Sequence, residues 1–137
     1  MQEVAINYTS VLVAAIASFV VGWLWYGPLF GKQWMTMMGY TKESMKTMKM
    51  KPGRAMTLGF ISMLVMAFVV ANFAALWGAV GAGGALTLTF WIWLGFIATV
   101  LLGSVLWEDR APKLYFFNIA YHFVALFVMT LVIVLWK

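Results

Sequence analysis

The stretch Leu114–Trp136, LYFFNIAYHFVALFVMTLVIVLW, runs 23 residues without an Asp, Glu, Lys or Arg. At ~1.5 Å of rise per residue a helix of that length reaches roughly 35 Å, enough to cross a hydrocarbon core of about 30 Å with modest tilt. Three more runs share its character: Val4–Trp25, Ala55–Trp77 and Leu86–Trp107, of 22, 23 and 22 residues. In lipid only helices and closed barrels satisfy every backbone hydrogen bond. These runs are continuously apolar and do not alternate, which excludes a barrel. Composition agrees. The chain of 137 residues is 65% hydrophobic and 9% charged, whereas a soluble domain carries about a quarter charged residues. A water-soluble fold this small has no interior large enough to hide so much apolar surface.

The tryptophans mark the ends of the runs. Trp23, Trp25, Trp34 and Trp107 fall on one side, and Trp77, Trp91, Trp93 and Trp136 on the other, as expected of rings that favour headgroup depth. The basic residues set the orientation. Lys32, Lys42, Lys46, Lys49, Lys51, Arg54, Arg110 and Lys113 lie in the two connections on one side, against Lys137 alone on the other. Positive residues stay in the cytoplasm, so both termini are expected outside. The sequence Ala15-Ile16-Ala17 before Ser18 resembles a signal cleavage site, but Met1-Gln2-Glu3 has no basic segment and the apolar run continues past it, so the first helix is read as retained. The expected architecture is all-α: an antiparallel integral membrane four-helix bundle, N-out and C-out. It is one domain over 1–137, with helices at about 4–26, 55–77, 86–107 and 114–136.

The connections carry further expectations. Gly78 to Ala85, with four glycines, reads as a tight turn that makes helices 2 and 3 antiparallel neighbours. Gly27-Pro28 ends or kinks helix 1. In the cytoplasmic loop of about 31–54, Thr41 is expected to cap a short basic interfacial helix over Lys42–Met50, stopped by Pro52-Gly53.

Small residues recur every fourth position: Ala14, Ser18 and Gly22; Ala67, Ala71 and Ala75; Gly95, Thr99 and Gly103. That spacing lays a smooth stripe along each helix where backbones approach closely, within one chain or between copies. His122, the only histidine, lies about 12 Å into helix 4, with Asn118 four residues before it and Tyr121 beside it. Polar groups at that depth face protein or a cavity. They form a candidate intramembrane polar site, to be weighed against a histidine simply hydrogen-bonded to a neighbouring helix. Asn7, Thr57, Ser62, Asn72 and Thr99 are expected to bond between helices. Glu108, Asp109 and Arg110 read as a cytoplasmic ion-pair cluster rather than an acid–base pair. Six methionines in the 31–54 loop raise a copper site. With no Cys in the chain and no His in the loop, an adaptable apolar face fits them better, and neither a metal nor a cofactor is expected.

The stretch Trp25-Tyr26-Gly27-Pro28-Leu29-Phe30-Gly31-Lys32-Gln33-Trp34-Met35 resembles the signature of a family of small bacterial membrane proteins catalogued as domain of unknown function 1761. Asn118-Ile119-Ala120-Tyr121-His122 and Trp107-Glu108-Asp109-Arg110 are similar to it as well. The resemblance covers essentially the whole chain. It implies four helices and a bacterial inner membrane, and brings no activity, substrate or cofactor. Read physically, Trp25, Tyr26, Pro28, Lys32 and Trp34 form a candidate interfacial site for lipid or a partner, or a well-anchored turn.

No phosphate loop, nucleophile triad, metalloprotease motif or base-reading module occurs. The expected function is therefore non-enzymatic: self-assembly as a homo-oligomer or association with a membrane-protein partner in the lipid bilayer, with no nucleic acid bound. An oligomeric channel or small-solute or ion transporter lined by His122 and Asn118 is the alternative, and lipid binding at the Trp25–Trp34 turn and basic loop is a third.

Overall fold

A computed structural model describes residues 5–136. Its helices are α1 (Tyr8–Leu24), α2 (Gly31–Met38), α3 (Lys42–Lys46), α4 (Pro52–Trp77), α5 (Gly81–Ile92), α6 (Thr99–Leu101), α7 (Gly103–Leu106) and α8 (Pro112–Leu135), with wider π turns at Trp25–Leu29 and Trp93–Ala98. Four continuous units are long and apolar enough to cross a membrane: span 1 (Tyr8–Leu29), span 2 (Pro52–Trp77), span 3 (Gly81–Leu106) and span 4 (Pro112–Leu135). Their outward surfaces are lipid-like. Phe96 and Val100, in the middle of span 3, are 69% and 70% exposed, a placement that water penalises and hydrocarbon does not.

The boundaries follow local chemistry. Span 1 starts at Tyr8 because the Asn7 side chain accepts the Ser10 backbone N–H at 3.2 Å, the geometry of an N-cap; Val4, where the apolar run begins, lies outside the described residues, as does Lys137. Spans 2 and 4 begin at Pro52 and Pro112, earlier than Ala55 and Leu114, since proline suits a first turn whose N–H has no partner. Span 2 ends on Gly78 at φ 73°, and the Ala79 N–H closes the turn onto Ala74 O at 3.0 Å. The helix of span 3 begins at once, at Gly81, so most of the glycine-rich segment expected as loop is helical. In the 31–54 loop, Thr41 caps α3 in a reciprocal capping box with Ser44. That helix stops at Lys46 rather than Met50, and α2 precedes it.

Paired contacts fix the packing. Tyr8 and Phe19 of span 1 meet Phe68 and Phe60 of span 2. Ser18 and Tyr26 of span 1 reach Ala125 and Asn118 of span 4. Trp93 and Ala98 of span 3 meet Ile119 and Tyr115 of span 4. In each pair one number rises as the other falls, so the bundle is antiparallel, and the 31–54 loop and the Trp107–Ala111 turn share one end, here called the basic end. Span 4 is the hub, packed against spans 1, 2 and 3.

One expectation is corrected. Spans 2 and 3 are joined by a tight turn yet scarcely touch beyond it. They splay apart and leave two apolar recesses that share Phe73, Ile92 and Phe96, of about 320 and 400 Å³. A short connection fixes only where two helices start. In lipid no hydrophobic force draws them together, and side-chain fit decides whether they stay in contact. Bulky Phe73, Trp77, Trp91 and Phe96 face this gap, whereas span 4 offers span 3 a fit against Ala85, Leu88 and Ala98.

Candidate functional site

At the basic end, the two groups of residues singled out in the sequence converge. Gly27 has φ −112° and ψ −107°, outside helical values, and Pro28 has no N–H to donate. The Phe30 N–H instead reaches Trp25 O at 3.0 Å. The wide turn swings α2 away from span 1 and gathers the rings around it onto span 4. Tyr26 packs edge-on against Tyr121 at 4.9 Å, Phe117 at 5.7 Å and Trp34 at 5.6 Å. Trp25 meets Phe30 at 4.8 Å, Phe117 at 5.7 Å and Tyr121 at 6.2 Å. The edge-to-face pairs among these are each worth about 0.5–1.5 kcal/mol beyond the area they bury.

A single polar bond pins this cluster. The Tyr26 hydroxyl donates to Asn118 Oδ1 at 2.7 Å. Close approach depends on Gly22: a Cβ there would stand 2.9 Å from the Tyr121 hydroxyl oxygen. Tyr121 is buried and hemmed by Trp25, Tyr26 and His122. The third member of the first small-residue stripe therefore works inside the chain, as do Ala14 and Ser18, both fully buried. Trp25 Nε1 is buried with no hydrogen-bond partner among the described residues.

Of the interfacial candidates, Trp25, Tyr26 and Trp34 are engaged in the cluster, while Pro28 and Lys32 are exposed. Of the intramembrane candidates, Asn118 and Tyr121 belong to it. His122 is half-buried, its ring 4.8 Å from that of Tyr121. It makes no side-chain hydrogen bond among the described residues, so the expected bond to a neighbouring helix is not found. Glu108, Asp109 and Arg110 are exposed, and no ion pair forms among the described residues. The backbone holds that turn instead: the Arg110 N–H donates to Ser104 O at 2.9 Å, with Asp109 at φ 56°. No group of three His, Asp or Glu side chains converges among the described residues.

The polar groups expected to bond between helices mostly do not. Thr57, Ser62, Asn72 and Thr99 each donate to a carbonyl three or four residues back, on Gly53, Gly59, Phe68 and Gly95, and Asn7 caps its own helix. A polar side chain facing hydrocarbon satisfies itself on its own backbone, the nearest acceptor available. The interhelical bonds come from Tyr26 and from three side chains not expected to make them. Ser18 Oγ donates to Ala125 O at 2.8 Å, Trp93 Nε1 to Ile119 O at 2.8 Å, and the Tyr115 hydroxyl to Ala98 O at 2.7 Å. The last two flank the π turn of span 3, where the backbone departs from regular helix. Phe117 and Tyr121, four residues apart and so on one helical face, were the sequence signal for the ring cluster.

The arrangement gives the chain a fixed seam between spans 1 and 4. No curated protein and no solved structure matches the sequence significantly. A family model described as "Protein of unknown function (DUF1761)" matches residues 9–134, from the first turn of span 1 to the last turn of span 4, and the chain belongs to that family.

Proposed function

We propose that this chain is a non-enzymatic protein of the bacterial inner membrane that acts by association, with copies pairing through span 3. The observation that carries the reading is the fate of the small-residue stripes. Those of spans 1 and 2 are largely consumed within the chain: Ala14, Ser18, Ala67 and Ala71 are buried. On span 3, Gly95 and Thr99 are exposed at mid-span, and a Cβ at Gly95 would meet nothing within 4 Å. A smooth face bordered by exposed Phe96 and Val100 suits close approach of a second helix, since association in lipid rests on packing rather than on escape from water. The uneven charge between the two ends supports the orientation, with the basic end cytoplasmic and both termini outside. It also supports an interfacial position for α2 and α3. An oligomeric pore finds less support, because Asn118 is already bonded to Tyr26.

The chain has no cysteine, so a single introduced thiol reports on itself alone. Thr99→Cys is expected to give a disulfide-linked dimer on oxidation in native membranes, and Val20→Cys, on the exposed face of span 1, is expected to stay monomeric. Equal cross-linking at both positions, or none at Thr99→Cys, overturns the span 3 contact.

A further inference from the structure

Between α3 and the start of span 2 the chain forms an open recess of about 530 Å³, lined by Met45, Lys46, Met48, Met50, Lys51 and Pro52. Its volume lies in the range of small-molecule sites, roughly 300–1,000 Å³. The walls combine two chemistries. Met45, Met48 and Met50 are exposed, three flexible, polarizable side chains that mould to an apolar ligand. Lys46 and Lys51 supply cationic heads on apolar stems at the same opening.

The charge around the recess is one-sided. Lys42, Lys46, Lys49, Lys51 and Arg54 stand against Glu43 alone between residues 42 and 54, and no carboxylate neutralises them by an ion pair among the described residues. The recess also sits where span 2 begins. Pro52 is the first residue of that 26-residue helix, and no side chain caps it. The recess therefore lies at the edge of the hydrocarbon layer, beside the positive end of a long helix dipole.

The geometry points to a seat for an anionic phospholipid of the leaflet at the basic end. Its phosphate lies between Lys46 and Lys51, and its glycerol and upper acyl carbons lie against Met45, Met48 and Met50. The ring cluster at Trp25–Trp34 is closed on itself and on span 4, so the lipid-selective surface is the methionine–lysine recess rather than that turn. The seat is separate from the span 3 contact. It draws on the proposed orientation only for which leaflet supplies the lipid, since anionic lipid concentrates on the cytoplasmic side.

The test is a native mass spectrum of the full chain, released from a neutral detergent after equilibration with equal amounts of phosphatidylglycerol and phosphatidylcholine of matched acyl chains. The chain is expected to retain phosphatidylglycerol preferentially. K46Q/K51Q is expected to lower that preference about fivefold for each lysine removed, with phosphatidylcholine retention unchanged as the sign of an intact fold. R110Q/K113Q, which removes the same charge from the other connection at that end, is expected to keep the preference. Equal retention of the two lipids by the parent, or equal loss in both double variants, overturns the seat. The same spectra read the oligomer independently, so a failure here leaves the span 3 pairing standing or falling on its own peaks.

Discussion

The seam between spans 1 and 4 and the hairpin of spans 2 and 3 are opposites. Spans 1 and 4 lie at the two ends of the sequence yet interlock along their length, through Ser18 on Ala125, Gly22 under Tyr121, and Tyr26 on Asn118. Spans 2 and 3 are joined by the shortest connection between any two spans, Gly78–Val80, and splay open beyond it. In water, adjacency in sequence and a shared apolar surface would suffice to close a hairpin. In lipid the apolar surface is neutral between neighbour and solvent. What holds a helix pair is small residues that admit close contact and polar groups with a partner across the gap. The first pair has both; the second faces its gap with Phe73, Trp77, Trp91 and Phe96.

The largest test of this contrast uses one substitution at two glycines. Gly22→Ala drives a Cβ to 2.9 Å from the Tyr121 hydroxyl oxygen. The ring is stiff and packed by Trp25 and Tyr26, so it cannot simply rotate away. A loss of about 1–3 kcal/mol is expected, the usual cost of overpacking. At Gly83 in α5 nothing lies within 4 Å of the same carbon, and Gly83→Ala is expected to gain up to about 1 kcal/mol from helix propensity. Unfolding of both variants in detergent, followed by circular dichroism, gives the two signs directly. Like signs would mean that the seam is looser than its geometry implies.

Next in size is the bond across the seam. Tyr26→Phe keeps the ring in its edge-on contacts and removes only the donor to Asn118. Polar bonds between helices in membranes average about 0.6 kcal/mol, and a loss of that order is expected in the same unfolding assay. A loss several times larger would place Asn118 in a wider polar network with Tyr121 and His122.

The four spans were legible because each needs only length and apolarity, and these are local properties of the chain. Trp25-Tyr26-Gly27-Pro28 was legible as a break for the same reason: Pro28 cannot donate, and Gly27 tolerates the backbone the turn requires. The partners were not legible. Ser18 and Thr99 both sit in small-residue stripes of identical spacing, yet one is buried and bonded to span 4 and the other is exposed and bonded to its own helix. Nothing within either helix distinguishes them. The difference comes from span 4 taking the central position, and from the π turn at Trp93–Ala98, whose wider winding offsets the phase of Thr99 and the residues after it from that of the residues before it. The ring cluster lies between these cases. Both of its halves stood out in the sequence as separate candidates, and only the fold shows that they form one.

The smallest expected effect is the most diagnostic for what lies outside a single chain. Asn72 sits within span 2, its side-chain amide bonded to Phe68 O at 2.9 Å on its own helix. It crosses no seam, so Asn72→Leu removes a bond that holds no two helices together and adds a side chain that lipid accepts. The expected change in unfolding free energy is close to zero, on the order of 0.5 kcal/mol or less, with a gain as acceptable as a loss. A neutral result would confirm that buried contacts between spans, rather than polar residues as such, hold this bundle. A loss matching that of Tyr26→Phe would show that Asn72 has a partner the isolated chain does not supply. Since Asn72 belongs to span 2, such a partner would move the surface of association away from span 3.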